Sequence, residues 1–411
     1  TDITPAGYVI TANNWAFATL SNEHYFFQRD HNPLIYDPSS GNLTTIANHP
    51  NVQGVAPDAH CVLAAFGRLW AGDLTGQPSK IHWTDSLDGK NWSGGSSGNI
   101  DISEVWPDGS DRITALAAYQ NFLIIFGKRS IVIYSGADNP ATMALADTVA
   151  NIGSVGRDTV QSTGRDLLFV DYSGVRSFAR TVRTNTMPVG DISRNVSSDF
   201  KGFVNAADVA KIRTIFHPRE SFYLVTFPNL GMVYCFDTRS PLEDGSYRTT
   251  TWSGMSPLCF TRNTSDQLYI GVKDGFGEYK GHKDDTASYE LSYFSHPLAF
   301  GDSSRLKFLK SVTVTTFNGA GSNVTLQWAY DYAQDYTKQV YTLSEDFAGQ
   351  YNNAQYNTTS QYSSSAVLIN REKVGTNGHG TVVQIGLSTT VDGREIAIQQ
   401  MNVHSLIGRM V

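Results

Sequence analysis

Charge is scarce in this chain: only 17% of its 411 residues are Asp, Glu, Lys or Arg, and 38 acidic against 31 basic side chains leave a formal net charge of −7. That balance excludes a protein built to grip phosphate backbones tightly through counterion release. Cysteine is scarcer still. Cys61, Cys235 and Cys259 each stand in an apolar, strand-like run without CxxC or Cys/His spacing, so each reads as a buried thiol and a disulfide framework is excluded. The odd count, with no leader-like start, leads to the expectation of folding in a reducing cytoplasm. No apolar run reaches the length of a membrane-spanning helix, and helical periodicity is almost absent.

Catalytic signatures are missing too. Gly94-Gly95-Ser96-Ser97-Gly98 lacks the Lys and Ser/Thr arrangement of a phosphate-binding loop, and no Gly-x-Ser-x-Gly elbow occurs. The ten histidines are scattered. Only His282-Lys283-Asp284-Asp285 has a metal-ligand character, and it reads as a polar turn. The expectation is a protein that is not an enzyme, with no catalytic residue, cofactor or metal.

What is abundant is turn and strand material: 36 Gly, 20 Tyr and 21 Phe. Aromatic-rich hairpins recur along the first two thirds. They pair Tyr25-Phe26-Phe27 with Leu34-Ile35-Tyr36, Arg68-Leu69-Trp70 with Lys80 to Trp83, and Phe122 to Phe126 with Ser130 to Tyr134. Leu167 to Val170 then pairs with Gly174 to Phe178, Phe222 to Val225 with Met232 to Phe236, and Leu268-Tyr269-Ile270 with Phe276 to Tyr279. Their spacing of roughly 45 to 55 residues is that of four-stranded propeller blades. Small-residue-rich runs such as Ala59 to Phe66, Ile113 to Tyr119 and Ser256 to Phe260 precede hairpins and suit inner strands near a crowded axis. Beyond about residue 286 the rhythm gives way to longer alternating segments, among them Ser311 to Phe317, Asn323 to Tyr330 and Arg394 to Val403. The expected fold is therefore all-β: a six-bladed β-propeller over 1–285 followed by a β-sandwich-like domain over 286–411. Trp92 to Asp111, Thr181 to Val204 and Tyr351 to Ser365 read as long loops able to carry contacts.

A family resemblance is carried by several of these segments. Gly67-Arg68-Leu69-Trp70-Ala71-Gly72-Asp73, Ile81-His82-Trp83-Thr84-Asp85, and Asp111-Arg112-Ile113 through Ser130-Ile131 resemble the tail nozzle, or hub, proteins of short-tailed bacteriophages, the podoviruses. So do Gly153-Ser154-Val155-Gly156-Arg157-Asp158, Gly378-His379-Gly380-Thr381 and the closing Leu406-Ile407-Gly408-Arg409. The resemblance implies a hexameric ring in the virion tail, assembled in the host bacterial cytoplasm. It implies contacts with a portal-adaptor protein and with tail fibres or spikes, and a channel that holds packaged DNA before ejection.

A conduit works badly if it binds each phosphate strongly, because every contact adds a barrier to sliding, so only transient, non-specific contact with DNA is expected, in a mainly neutral or acidic lumen. Basic residues do cluster locally, at Lys128-Arg129 and along Arg176, Arg180, Arg183 and Arg194, and these are the candidate channel or interface residues. The main alternative is a glycan-binding or glycan-cleaving propeller, since Ser86-Leu87-Asp88-Gly89-Lys90-Asn91-Trp92 resembles the aspartate-box turn of sialidases. That turn occurs once, and no acid, base and nucleophile set can be assembled around it from sequence. A secreted adhesion propeller is a third class, raised by sequons at Asn42, Asn91, Asn195, Asn263, Asn323 and Asn357, which an Asn-, Ser- and Thr-rich chain also acquires by chance.

Overall fold

The apolar runs become strands whose two faces are both covered, which is why they read as continuous rather than alternating. The computed structural model describes residues 3–10, 14–184, 192–343, 348–349, 361–362 and 369–410. The chain forms two compact units, Thr1–Glu278 and Tyr279–Val411.

Among the described residues, the first unit is a succession of six antiparallel sheets, each with its strands in sequence order. The first holds β1 (Ala16–Leu20), β2 (Glu23–Phe27), β3 (Leu34–Asp37) and β4 (Asn42–Thr45); the second holds β5 (Ala59–Ala65), β6 (Arg68–Leu74), β7 (Gln77–Trp83) and β8 (Gly98–Asp101). The third holds β9 (Ile113–Tyr119), β10 (Phe122–Gly127), β11 (Ser130–Ser135) and β12 (Ala144–Ala150), and the fourth β13 (Gln161–Ser162), β14 (Leu167–Asp171) and β15 (Gly174–Ser177). The fifth holds β16 (Arg213–His217), β17 (Phe222–Phe227), β18 (Met232–Asp237) and β19 (Arg248–Ser253), and the sixth β20 (Cys259–Arg262), β21 (Leu268–Val272) and β22 (Gly275–Glu278). Every hairpin read from the sequence is the second and third strands of one of these sheets.

Packing makes the array a β-propeller. The first strands of successive sheets are neighbours, β1 beside β5, β5 beside β9, β13 beside β16 and β16 beside β20. Separate apolar cores fill the gaps between sheets. Tyr25, Phe27 and Leu69 join the first sheet to the second, and Trp70, Trp83, Leu123 and Ile125 join the second to the third. Phe126 and Phe169 join the third to the fourth; Val170, Tyr223 and Phe236 join the fourth to the fifth; Leu224, Leu268 and Ile270 join the fifth to the sixth. Burying one such aromatic stabilises the unit by about 3 kcal/mol. Gly72 permits the close approach of the second and third sheets, because a Cβ there would lie 3.3 Å from Leu116.

Two stretches differ from the loops expected of them. Trp92 to Asp111 contains β8 and the buried Ile102 and Trp106. Thr181 to Val204 overlaps two helices, α1 (Phe178–Thr184) and α2 (Ser197–Ala206), and α2 inserts Phe200 and Val204 into the core between the fourth and fifth sheets. Residues 185–191 between them lie outside the described residues, as does most of Tyr351 to Ser365. Cys61 is buried as expected; Cys235 is only half-buried, and Cys259 is exposed, because the sixth sheet leaves one face open.

The second unit is a β-sandwich. One sheet runs β23 (Tyr289–Phe294), β31 (Val383–Val391), β25 (Asn323–Tyr330), β26 (Thr337–Thr342). The other centres on β24 (Arg305–Asn318), flanked by β29 (Ile369–Gly375), β30 (His379–Gly380) and the long β32 (Ile396–Met410). β27 (Ala348–Gly349) and β28 (Gln361–Tyr362) form a separate short pair. Leu309, Val312 and Val314 of β24 face Leu326 and Trp328 of β25 and Ile385 and Leu387 of β31 across a single core. Among the described residues, no helix is long and apolar enough to cross a membrane.

Candidate interaction site at one end of the propeller

In a sheet whose strands run up and down in order, the link between the second and third strands and the link to the next sheet emerge at the same end. One network of charged side chains of the first unit lies at that end. Arg29 lies in the β2–β3 link, Asp73 just before the β6–β7 turn, Arg112 just before β9, Arg157 between β12 and β13, and Arg213 at the start of β16.

Asp73 is the pivot of the first half of this network. It adopts φ 58° beside a register shift in the β6–β7 pairing, a left-handed conformation that Asp tolerates better than most residues. The kink aims a carboxylate only 3% exposed at two guanidinium groups. Arg112 donates through Nη2 at 2.9 and 3.1 Å, and Arg29 donates through its own Nη2 to Oδ2. Burial, reinforced by the Arg112 charge, lowers the Arg29 pKa below its ordinary value.

Arg157 organises the second half. Its Nε donates to Asp158 at 3.0 Å, Nη1 to the His60 carbonyl at 2.6 Å, and Nη2 to Asn14 at 2.7 Å and to the Trp15 carbonyl at 3.2 Å. Arg213 pairs with the same Asp158 at 3.4 Å and also reaches Asn14. The start of the first sheet is thereby tied to residues that open the fourth and fifth, so the array curves round a common axis. His60 stands between the halves, on the first strand of its sheet. Burial, then the nearby Arg157 and Arg29 charges, push its pKa down to about 4, so the imidazole is neutral at pH 7. Next to it, burial raises the Cys61 thiol to about 12, and its S–H donates to the Thr114 carbonyl.

The residues singled out by sequence clustering lie in different settings. Lys128 and Arg129 form the exposed turn between β10 and β11, at the same end as the network. Their backbone N–H groups donate to Asp111 at 3.0 and 2.8 Å, and Asp111 also accepts from the Arg112 N–H. Arg176 is buried, pairs with Asp171 at 3.3 Å and donates to Ser173. Arg180 donates to the Gly245 carbonyl at 2.7 Å and lies over the Tyr247 ring. Arg183, in α1, and Arg194 are exposed. Arg29, Arg112, Arg157 and Arg213 stand apart along the chain and give no direct sign of the network in the sequence.

Other features are structural. The Ser86 to Trp92 turn is held by Asp88 accepting the Lys90 N–H at 3.0 Å and by Lys90 bridging to Glu23 at 2.6 Å. A cleft of about 350 Å³ is lined by Gln161, Thr214, Phe260, Arg262, Asn263 and Asp266. Its Arg262 and Asp266 pair with each other, and the Thr214 hydroxyl donates to the Asp158 carbonyl. Among the described residues, no three His, Cys, Asp or Glu side chains group as a metal site would require.

No protein-family profile and no curated protein sequence matches the chain. Among solved structures, it is similar to PorZ, a surface component of the type-IX secretion system of Porphyromonas gingivalis, at 13% identity and a TM-score of 0.37, over 62% of this chain but only 29% of PorZ. It is similar to the β-propeller domain of Cps50 (Swd1) from Myceliophteria thermophila at 10% identity and a TM-score of 0.35, covering 67% of this chain and 99% of that one. The Pan2 WD40 domain of Neurospora crassa matches at 11% identity and a TM-score of 0.35, over 62% and 70% of the two chains. At these values the likenesses carry no argument about what this chain does.

Proposed function

We propose that this chain is the tail nozzle, or hub, subunit of a short-tailed bacteriophage. In this reading its propeller closes with six blades, and a homo-oligomeric, hexameric ring of copies forms the distal part of the DNA ejection channel. The ring retains packaged DNA before infection, meets the portal-adaptor protein, and docks fibres or spikes. The protein acts as a virion component assembled in the host cytoplasm, with no catalytic step.

One observation carries the reading. Three of the segments that resemble the nozzle family, those containing Gly72-Asp73, Asp111-Arg112 and Arg157-Asp158, supply most of the ionic network at one end of the propeller. The resembling residues thus hold sheets together around an axis, which is a scaffold's task. Surface chemistry supports the same reading. The first and last sheets leave apolar side chains uncovered, with Phe17 on β1 70% exposed and Phe276 on β22 80% exposed, and Leu258 and Val272 exposed near the latter. Exposed apolar side chains of this kind suit a subunit whose partners cover them.

Deleting the gene in the phage tests the proposal. The expected result is heads that package DNA and then lose it, with infectivity restored by the chain supplied in trans. Particles that keep their DNA and their infectivity without the chain would contradict it.

A further inference from the structure

Hydrogen bonding divides the guanidinium groups of the network into two kinds. Arg157 is spent: Nε, Nη1 and Nη2 all donate to protein oxygens. Arg213 is nearly so, donating through Nη1 to the Ala210 and Ile212 carbonyls and through Nη2 to Asn14. Arg29 and Arg112 differ. Each touches Asp73 through Nη2 alone, so among the described residues their Nε and Nη1 donors have no protein acceptor.

Both of those side chains are part-exposed, 32% for Arg29 and 39% for Arg112, while the carboxylate that anchors them is buried. Two unit positive charges therefore converge on one negative charge, and the excess faces outward. Asp30, a second carboxylate near Arg29, offsets part of this excess and accepts from the Thr75 hydroxyl at 2.9 Å. His60, behind the pair, carries no charge at neutral pH and so adds no further repulsion. Lys128 and Arg129 extend the basic surface from the neighbouring turn, anchored through Asp111, which also holds the Arg112 backbone.

We infer that Arg29 and Arg112, locked in place by Asp73, form a binding site for a phosphate-class oxyanion. Two fixed guanidinium groups, each with Nε and Nη1 donors that Asp73 does not use, suit a tetrahedral group with several oxygens, and the anion offsets the excess charge. Fixing both side chains on a buried carboxylate removes the rotamer cost that exposed arginines otherwise meet on binding. The phosphate belongs either to a free ion or to a polynucleotide backbone; the site recognises the chemistry common to both. This inference does not rest on the nozzle reading.

Isothermal titration of the full chain with inorganic phosphate, and separately with a short double-stranded DNA, tests it at low ionic strength with chloride as the reference anion. Saturable binding of either probe is expected, weakened at least about tenfold by Arg112→Gln or Arg29→Gln, partly restored by Arg112→Lys, and unchanged by Arg183→Gln. Binding of phosphate alone identifies a small-ion site, and binding of DNA lost in Arg112→Gln identifies the backbone as the source. Thermal melting of each variant separates lost binding from lost folding; if Arg112→Gln unfolds, Arg112→Lys and Arg29→Gln carry the comparison. No saturable binding of either probe, or binding indifferent to both arginines in folded variants, would overturn the inference.

Discussion

Lowering the pH from 7 to 5 should destabilise the propeller through His60. Its folded pKa of about 4 lies below the value of about 6.5 for an unfolded histidine, so over this window the unfolded chain takes up a proton that the folded chain refuses. The stability conferred by the neutral ring is complete above the unfolded pKa and is lost as pH falls toward the folded one. The whole shift corresponds to about 3 kcal/mol, of which about 2 kcal/mol falls between pH 7 and pH 5. Burial of the ring is the main cause of the direction; Arg157, Arg29 and Arg112 add to it by opposing a positive imidazole, and Asp158 only partly offsets them. Carboxylates held low by hydrogen bonds, such as Asp85 and Asp331, begin to protonate only below this window. His82 and His217 are shifted in the same direction as His60, so the comparison must be internal. Urea unfolding of the full chain and of His60→Gln at both pH values supplies it. The variant should lose about 2 kcal/mol less than the parent on acidification. Parallel losses in the two proteins would refute the burial of a neutral His60 beside the arginines.

Asp73→Asn should cost about 3 kcal/mol in the same assay, because it leaves two guanidinium groups facing each other without their shared carboxylate; a change within experimental error would show that the pair is held by something else. Gly153→Ala should destabilise by at least about 2 kcal/mol, since a Cβ there would lie 2.3 Å from the Gly127 carbonyl oxygen, where backbone cannot yield easily. A melting temperature equal to the parent's would contradict that close approach. Native thiol labelling should modify Cys259 rapidly and spare Cys61 and Cys235, whose thiols burial raises to about 12; fast labelling of Cys61 would mean that the inner strand of the second sheet opens.

The hairpins were legible because the central strands of a blade are covered on both faces. β6, β14 and β17 are buried at every position, and such strands announce themselves as short apolar runs whatever their neighbours. Outer strands carry no such signal. β12 and β19 are mostly exposed, and their Ala, Thr and Asp composition resembles a loop. The helices escaped for a related reason: α1 is a short run holding two arginines, and α2 buries only Phe200 and Val204, too few positions to establish a helical period.

The charged network was illegible in a different way. Arg29, Asp73, Arg112, Arg157 and Arg213 stand singly, one to a sheet or link, and only the circular arrangement of the sheets brings them together. Clustering along the chain pointed instead to Lys128-Arg129 and to the Arg176–Arg194 stretch, where Arg176 lies inside the fold in a local pair. The available signal was indirect. Gly72-Asp73, Asp111-Arg112 and Arg157-Asp158 all fall within segments that resemble the nozzle family, each an acidic residue at a turn beside a glycine or an arginine.

Antibody labelling of phage particles that encode this chain, viewed by electron microscopy, tests the central claim most directly. Serum raised against the chain should mark the distal tail at the end away from the head. Particles without label, with the chain recovered as a free monomer in the lysate, would contradict the nozzle assignment.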